Sequence, residues 1–205
     1  MQSRVTTVLQ DGEKYISADK AVAERRLRNE NERLTLEVNR LRLELLDLER
    51  KADTDPLVPI YNRRAFIREV DRAKTVMARY DILSSVIFFD LNGFKSINDQ
   101  FGHAIGDELL RQVGDVLVGG VRSCDLVARL GGDEFGVLLF KSEVAAAKAK
   151  AAALACRIKD QCVELPTGDI NVTAAWGVAP CEAEDTAEQI LARADRNMYV
   201  AKRSR

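Results

Sequence analysis

Three carboxylates stand where chemistry is feasible. Asp90 ends the apolar run Ser85-Val86-Ile87-Phe88-Phe89, while Asp133 and Glu134 follow Gly131-Gly132 between the apolar runs Leu126–Leu130 and Phe135–Phe140. Short apolar runs of this kind read as buried strands, and two of them around a Gly-Gly turn read as a β-hairpin. Acids at the ends of neighbouring buried strands converge on one point. Alone they repel one another, so a divalent cation is the natural compensator. Mg²⁺ takes one or two carboxylates and completes its shell with phosphate oxygens and water. Gly131 and Gly132 let the backbone approach a bulky ligand, because no Cβ intervenes. The tetrapeptide alone would equally serve as a solvated surface hairpin. The sequence holds no G-x-x-x-x-G-K-[ST] loop, so phosphate would be held by the turn after Asp90.

Such acids need a sheet and helices to hold them. The pattern predicts a helix from about Arg63 to Tyr80, the strand ending at Asp90, a polar loop with a short helix, and a helix from about Asp107 to Gly119. After the hairpin come an alanine-rich helix over Ser142–Lys159, a strand over Ile170–Val178 and a last helix over Ala187–Lys202. Strands mixed with helices in this order give an α/β (α+β) sandwich, a sheet flanked by helices. Propensity leaves the strand order open.

Upstream, no glycine or proline interrupts Ala21–Ala52, and Leu27, Leu34, Leu41 and Leu48 recur every seven residues. With these at heptad position d, Asn31, Val38 and Leu45 fall at a, a leucine-zipper pattern that favours two parallel strands with a left-handed supercoil. Asn31 fixes register at a cost in stability. Flanking charges help weakly, with Glu37 attracting Arg42 of the partner helix and Glu44 repelling Glu49. Leu36, Leu43 and Leu46 fall off the seam. A lone amphipathic helix lying on the globular domain is the competing reading. The expected organisation is therefore residues 1–19 as a segment that binds a partner or is disordered, 20–52 as a dimerising coiled coil, and 53–205 as the catalytic domain. Pro56 and Pro59 mark the joint.

The chain has 205 residues, 46% of them hydrophobic and 31% charged, with 31 basic and 32 acidic side chains. That balance gives no basic field for nucleic acid. Four cysteines without a C-x-x-C pair, beside a single histidine, make a zinc site improbable and suit a reducing cytoplasm. No apolar run nears the roughly 20 residues of a membrane span, and the first 19 residues lack a signal-peptide pattern.

Several spaced motifs resemble the GGDEF family of diguanylate cyclases. They are Arg129-Leu130-Gly131-Gly132-Asp133-Glu134-Phe135, the run Phe89 to Asp107 with Asp90-Leu91-Asn92-Gly93-Phe94-Lys95, Asn62-Arg63-Arg64-Ala65-Phe66, and Asp195-Arg196-Asn197-Met198-Tyr199. The resemblance spans about Asp53 to Arg205. It implies a palm-like nucleotidyl-cyclase sheet and synthesis of cyclic di-GMP from two GTP by a homodimer, with Mg²⁺ as cofactor and Mn²⁺ as an alternative. It further implies that Asp90, Asp133, Glu134 and the Leu91 carbonyl hold metal. Asp133 would also accept a proton, with Lys95 stabilising the triphosphate. Asn98 and Asp107 would read guanine, with Phe94, His103, Gly131, Gly132 and Lys202 also lining the substrate site. A carboxylate accepts from the N1–H and N2–H edge of guanine, which adenine lacks. Arg122-Ser123-Cys124-Asp125 matches the family's R-x-x-D motif, implying inhibition by bound product at Arg122 and Asp125.

The same residue types have structural uses. Asp107 at a helix start is a capping residue, Asn98 a turn former, Lys95 and Lys202 solvated charges, His103 a hydrogen-bonded structural residue, and Arg122–Asp125 a surface turn with a local ion pair. Two departures from the family pattern stand out. Pro59 replaces a glycine and stiffens or bends the joint, and Asn92 replaces an acid two residues after Asp90.

Overall fold

A computed structural model describes the backbone of residues 2–163 and 170–203, and the side chains of 25–45, 47–48, 51–161 and 170–203. The chain divides into two compact units, Met1–Ala52 and Asp53–Arg205. The first unit is helix α1, which runs over Gln2–Asp53. It extends well beyond the Ala21 start that the sequence suggests, so the backbone of the segment read as partner-binding or disordered is helical. Leu27, Leu34, Leu41 and Leu48 are all exposed along α1, as are Val38 and Leu45. Ion pairs Arg33–Glu30, Arg40–Glu37 and Arg40–Glu44 lace the exposed helix at three- and four-residue spacing. Leu46 and Glu49 have side chains outside the described residues. Among the described residues, no helix is long and apolar enough to cross a membrane.

The second unit is the expected sheet flanked by helices. Its elements are β1 (Tyr61–Asn62), α2 (Arg63–Tyr80), β2 (Ser84–Asn92), α3 (Phe94–Phe101), α4 (His103–Val118), β3 (Leu126–Gly131), β4 (Glu134–Phe140), α5 (Val144–Lys159), β5 (Cys162–Val163), β6 (Ile170–Asn171), β7 (Thr173–Pro180) and α6 (Ala187–Arg203). Five strands pair in the order β1-β3-β4-β2-β7. Only β1–β3 is parallel.

Strand alternation assigns the two faces. Ile87, Phe89 and Leu91 of β2 join Phe135, Val137 and Leu139 of β4 in one core with α4 and α5. Val86, Phe88 and Leu138 face the other way, into a core with Phe66 and Val70 of α2 and Ile190, Ala194 and Met198 of α6. Phe66 is fully buried, and its ring fills the space a Cβ at Gly136 would take. Truncating such a ring costs about 3–5 kcal/mol, so α2 is firmly fixed to the strand that follows the Gly-Gly turn.

Two local expectations need correction. Helix α4 starts at His103, not near Asp107, because Gly102 at φ 84° lets the chain turn and restart the helix after one residue. Asp107 therefore lies in the second turn and is no capping residue. The strand read over Ile170–Val178 breaks at buried Val172 into β6 and β7. The joint is a closed loop packed on its own unit. Thr54 bridges to Tyr61, the Asp55 N–H donates to the Ile60 carbonyl at 2.9 Å, and the Ile60 N–H donates to the Val58 carbonyl at 2.7 Å across Pro59. Proline's fixed φ suits the centre of such a three-residue turn. Fully buried Val58 packs over Gly114 of α4.

Candidate functional site

The acids meet because of strand register. Asp90 of β2 lies directly opposite Glu134 of β4 and, on its other side, opposite Ala175 of β7. Directly opposed residues share a face, here the face covered by α2 and α6. The Leu91 N–H donates to the Asp133 carbonyl at 3.2 Å, stitching the end of β2 to the turn. Gly131 and Gly132 have φ of 154° and 50°, conformations that side chains disfavour. Nothing lies within 4 Å of where either Cβ would be, so these positions demand glycine for backbone shape and leave the space above them open.

A clamp holds this turn. The Arg129 Nε and Nη2 donate to the Gly132 carbonyl at 3.0 and 2.8 Å. Its Nη1 donates to Asp55 Oδ1 at 3.2 Å. Both side chains of that pair are about 15% exposed or less. The Asp55 oxygen also accepts from the Leu57 and Val58 N–H groups. One arginine fork thus ties the Gly-Gly turn to the loop that begins the unit.

The electrostatics are those of crowded acids. Burial raises the Glu134 pKa; the nearby Arg63 guanidinium opposes this, while Asp195, Asp133 and Asp90 raise it further. Lys202 Nζ of α6 is 2.6 Å from Asp90 Oδ1. Among the described residues, no three His, Cys, Asp or Glu side chains converge closely enough to hold a metal unaided. Mg²⁺ takes few carboxylates and leaves the rest of its shell to phosphate and water. An ammonium already lies against Asp90, and Glu134 is under repulsion from three acids, so the donor set suits an added cation.

A raised folded-state pKa means that Glu134 contributes stability when protonated, and that this is lost as pH rises through its folded value. Glu134→Gln should therefore melt about 1–3 °C higher than wild type at pH 8 in EDTA. The difference should close as pH falls into the ordinary carboxylate range, which thermal melts at several pH values would check.

A second group surrounds α3 and α4. Gly93 at φ 71° ends β2 and starts α3. Phe94 is buried, whereas Lys95 and His103 are exposed and Asn98 and Asp107 half-buried. The Asn98 Oδ1 is buried without a hydrogen-bond partner. It occupies the spot where a Cβ at Gly106 would lie, with Phe94 Cζ 3.1 Å from the same point. Gly106→Ala gains about 0.5–1 kcal/mol of helix stability, but it must displace Asn98. The two effects oppose each other, so Tm should stay within about 2 °C of wild type, which a melting curve would check.

Arg122 and Asp125 lie elsewhere. Asp125 accepts from the Arg122 N–H at 3.0 Å and from the Phe140 N–H at 3.1 Å. It thus anchors the far end of β4, roughly 20 Å of strand away from Glu134. Its carboxylate binds backbone rather than the Arg122 guanidinium, so the local ion pair considered from sequence is not what shapes this turn.

Sequence reasoning gave no role to Asp55, Arg63, Gly106, Arg129 or Asp195. Arg129 belongs to a quoted motif, but its partner Asp55 lies 74 residues away, and no local pattern links them.

The chain is similar to known proteins. The family described as "Diguanylate cyclase, GGDEF domain" matches residues 52–205. The bifunctional diguanylate cyclase/cyclic di-GMP phosphodiesterase MucR of Pseudomonas aeruginosa is 34% identical over 183 residues, covering 89% of this chain and 26% of MucR. The response regulator PleD of Caulobacter vibrioides is 37% identical over 157 residues, covering 75% of this chain and 34% of PleD. The chain thus spans about a third or less of these relatives. A crystal structure of the coiled coil and GGDEF domain of DgcB from Caulobacter crescentus, in complex with c-di-GMP, aligns with a TM-score of 0.76 and 26% identity, over 83% of this chain and 91% of that one. With its Gly-Gly-Asp-Glu turn clamped between β3 and β4 and the matched residues spanning the whole second unit, the chain belongs to the GGDEF family.

Proposed function

We propose that this chain is a diguanylate cyclase that condenses two GTP into cyclic di-GMP and two pyrophosphates. It works as a dimer with one GTP per subunit. The observation that carries this is the register that sets Asp90 opposite Glu134, with Asp133 at the adjoining turn. Asp90, Asp133, Glu134 and the Leu91 carbonyl hold Mg²⁺ or Mn²⁺, which when bound neutralises charge on the triphosphate. Asp133 accepts the proton of the 3′-hydroxyl as that oxygen bonds to the α-phosphorus of the other GTP and the bond to pyrophosphate breaks. The same exchange, repeated in the other direction, closes the ring. Lys95 and Lys202 stabilise the phosphates. The Asn98 amide and the Asp107 carboxylate take the guanine edge, and Phe94 and His103 line the site beside Gly131 and Gly132.

Each unit binds one nucleotide, so two units must face each other. The seam on α1 supplies the second copy and raises its local concentration. Purified full-length chain incubated with GTP and Mg²⁺ should yield cyclic di-GMP, whereas ATP should yield no cyclic product. Absence of product from GTP would overturn the reading.

Arg122 and Asp125 form an inhibitory product site in this proposal. The c-di-GMP complex of DgcB supports it, as does the exposed Arg122 side chain on a turn that Asp125 holds in shape. Arg122→Ala should raise the product concentration needed for half-inhibition at least about tenfold, the loss of one charged hydrogen-bonding group.

A further inference from the structure

Lys202 lies in the last turn of α6, its ammonium on the carboxylate that the proposed function gives to a cation. The pair is partly solvated, with side chains 43% and 24% exposed. Solvated pairs of this kind are weak and exchange readily. Lys202 also has room to move. Together with Asn92, Ala175, Trp176, Met198 and Ala201 it lines a cavity of about 240 Å³. A lysine ammonium is a compact charge on a flexible stem and is satisfied equally by carboxylate or phosphate oxygens.

We propose that Lys202 is an exchangeable counter-ion. It neutralises Asp90 before nucleotide arrives, then transfers to the triphosphate, releasing Asp90 to the metal as GTP enters. The inference rests on the cyclase reading and adds to it a binding order. Cation and nucleotide enter as a coupled pair, because each favours the state the other needs. A tight cation site before GTP would instead hold metal with no substrate.

The test titrates Mn²⁺ alone into the nucleotide-free full chain, followed by electron paramagnetic resonance. Lys202→Met should bind Mn²⁺ roughly two- to fivefold more tightly than wild type, the range expected for removing a solvated ion-pair competitor. Arg203→Gln is the control. It removes the same charge from the same helix end, but its guanidinium lies 5.6 Å over the Tyr199 ring. It should leave Mn²⁺ affinity at the wild-type value. Adding Asp90→Asn to Lys202→Met should abolish the gain. In a second arm, 3′-deoxy-GTP, which lacks the attacking hydroxyl, should bind Lys202→Met more weakly than wild type in the presence of Mn²⁺. Unchanged Mn²⁺ affinity in Lys202→Met, or an equal gain in Arg203→Gln, overturns the exchange. Neither result touches the cyclase reading, which fails only if GTP gives no product.

Discussion

Asp90→Asn should lower cyclic di-GMP formation by on the order of 10²–10³-fold, the usual cost of deleting one charged group from a preorganised electrostatic site, while Tm stays within about 2 °C of wild type. Asn keeps the shape of Asp and loses only the charge. Two effects on stability then oppose each other. The Lys202 pair, partly solvated and worth about 0.2–1 kcal/mol, is lost. Repulsion on Glu134 is relieved at the same time, because Asp90 is one of the acids that raise its pKa. A residue kept for packing would behave differently, with activity and Tm falling together. Product measured by chromatography beside calorimetry separates the two. Activity within about threefold of wild type would remove Asp90 from the proposed chemistry.

The seam on α1 should matter on a comparable scale. Leu34→Lys with Leu41→Lys puts charges at two successive d positions, both exposed in the single chain. Both residues belong to the first unit and neither is a member of the second unit's cores, so that unit should melt as before. At low protein concentration the activity per chain should drop about 10²–10⁴-fold, the advantage that tethering gives over free encounter. Raising the concentration should restore it, with a second-order dependence that wild type lacks. Light scattering would report the change in mass directly. Activity that stays first order in protein, with no loss in the double variant, would show that the seam plays no part in bringing two sites together.

The clamp on the Gly-Gly turn gives Arg129 a structural role. Gly131 and Gly132 adopt conformations that an unsupported loop would leave readily, and Gly loses more conformational freedom on ordering than any other residue. Arg129 offsets that loss with two bonds to one carbonyl and a third to Asp55. Asp55 in turn caps the loop after α1 through two backbone bonds. The loop that begins the unit and the turn that carries Asp133 are therefore mechanically one piece.

Much of the fold was legible without coordinates, and for local reasons. Helix α2 spans Arg63–Tyr80 as its apolar spacing predicts, with Asn62 accepting from the Ala65 N–H at its start. The hairpin of β3 and β4 was visible because apolar runs flank two glycines, and β2 because a buried strand shows as an unbroken apolar run. Errors gathered where one local signal had two uses. The helix expected from about Asp107 starts at His103, and Gly106 is a buried helical position whose missing side chain makes room for Asn98.

By itself, the sequence determined the main helices and strands of the second unit, where two of them turn, and to which family the motifs belong, since all of these depend on neighbours a few residues apart. The tertiary structure alone decided the strand order, the opposition of Asp90 to Glu134, the reach of Arg129 to Asp55, and the meeting of Lys202 with Asp90 across 112 residues. Such contacts arise from burying two sheet faces at once, a condition on the whole chain that no single stretch encodes.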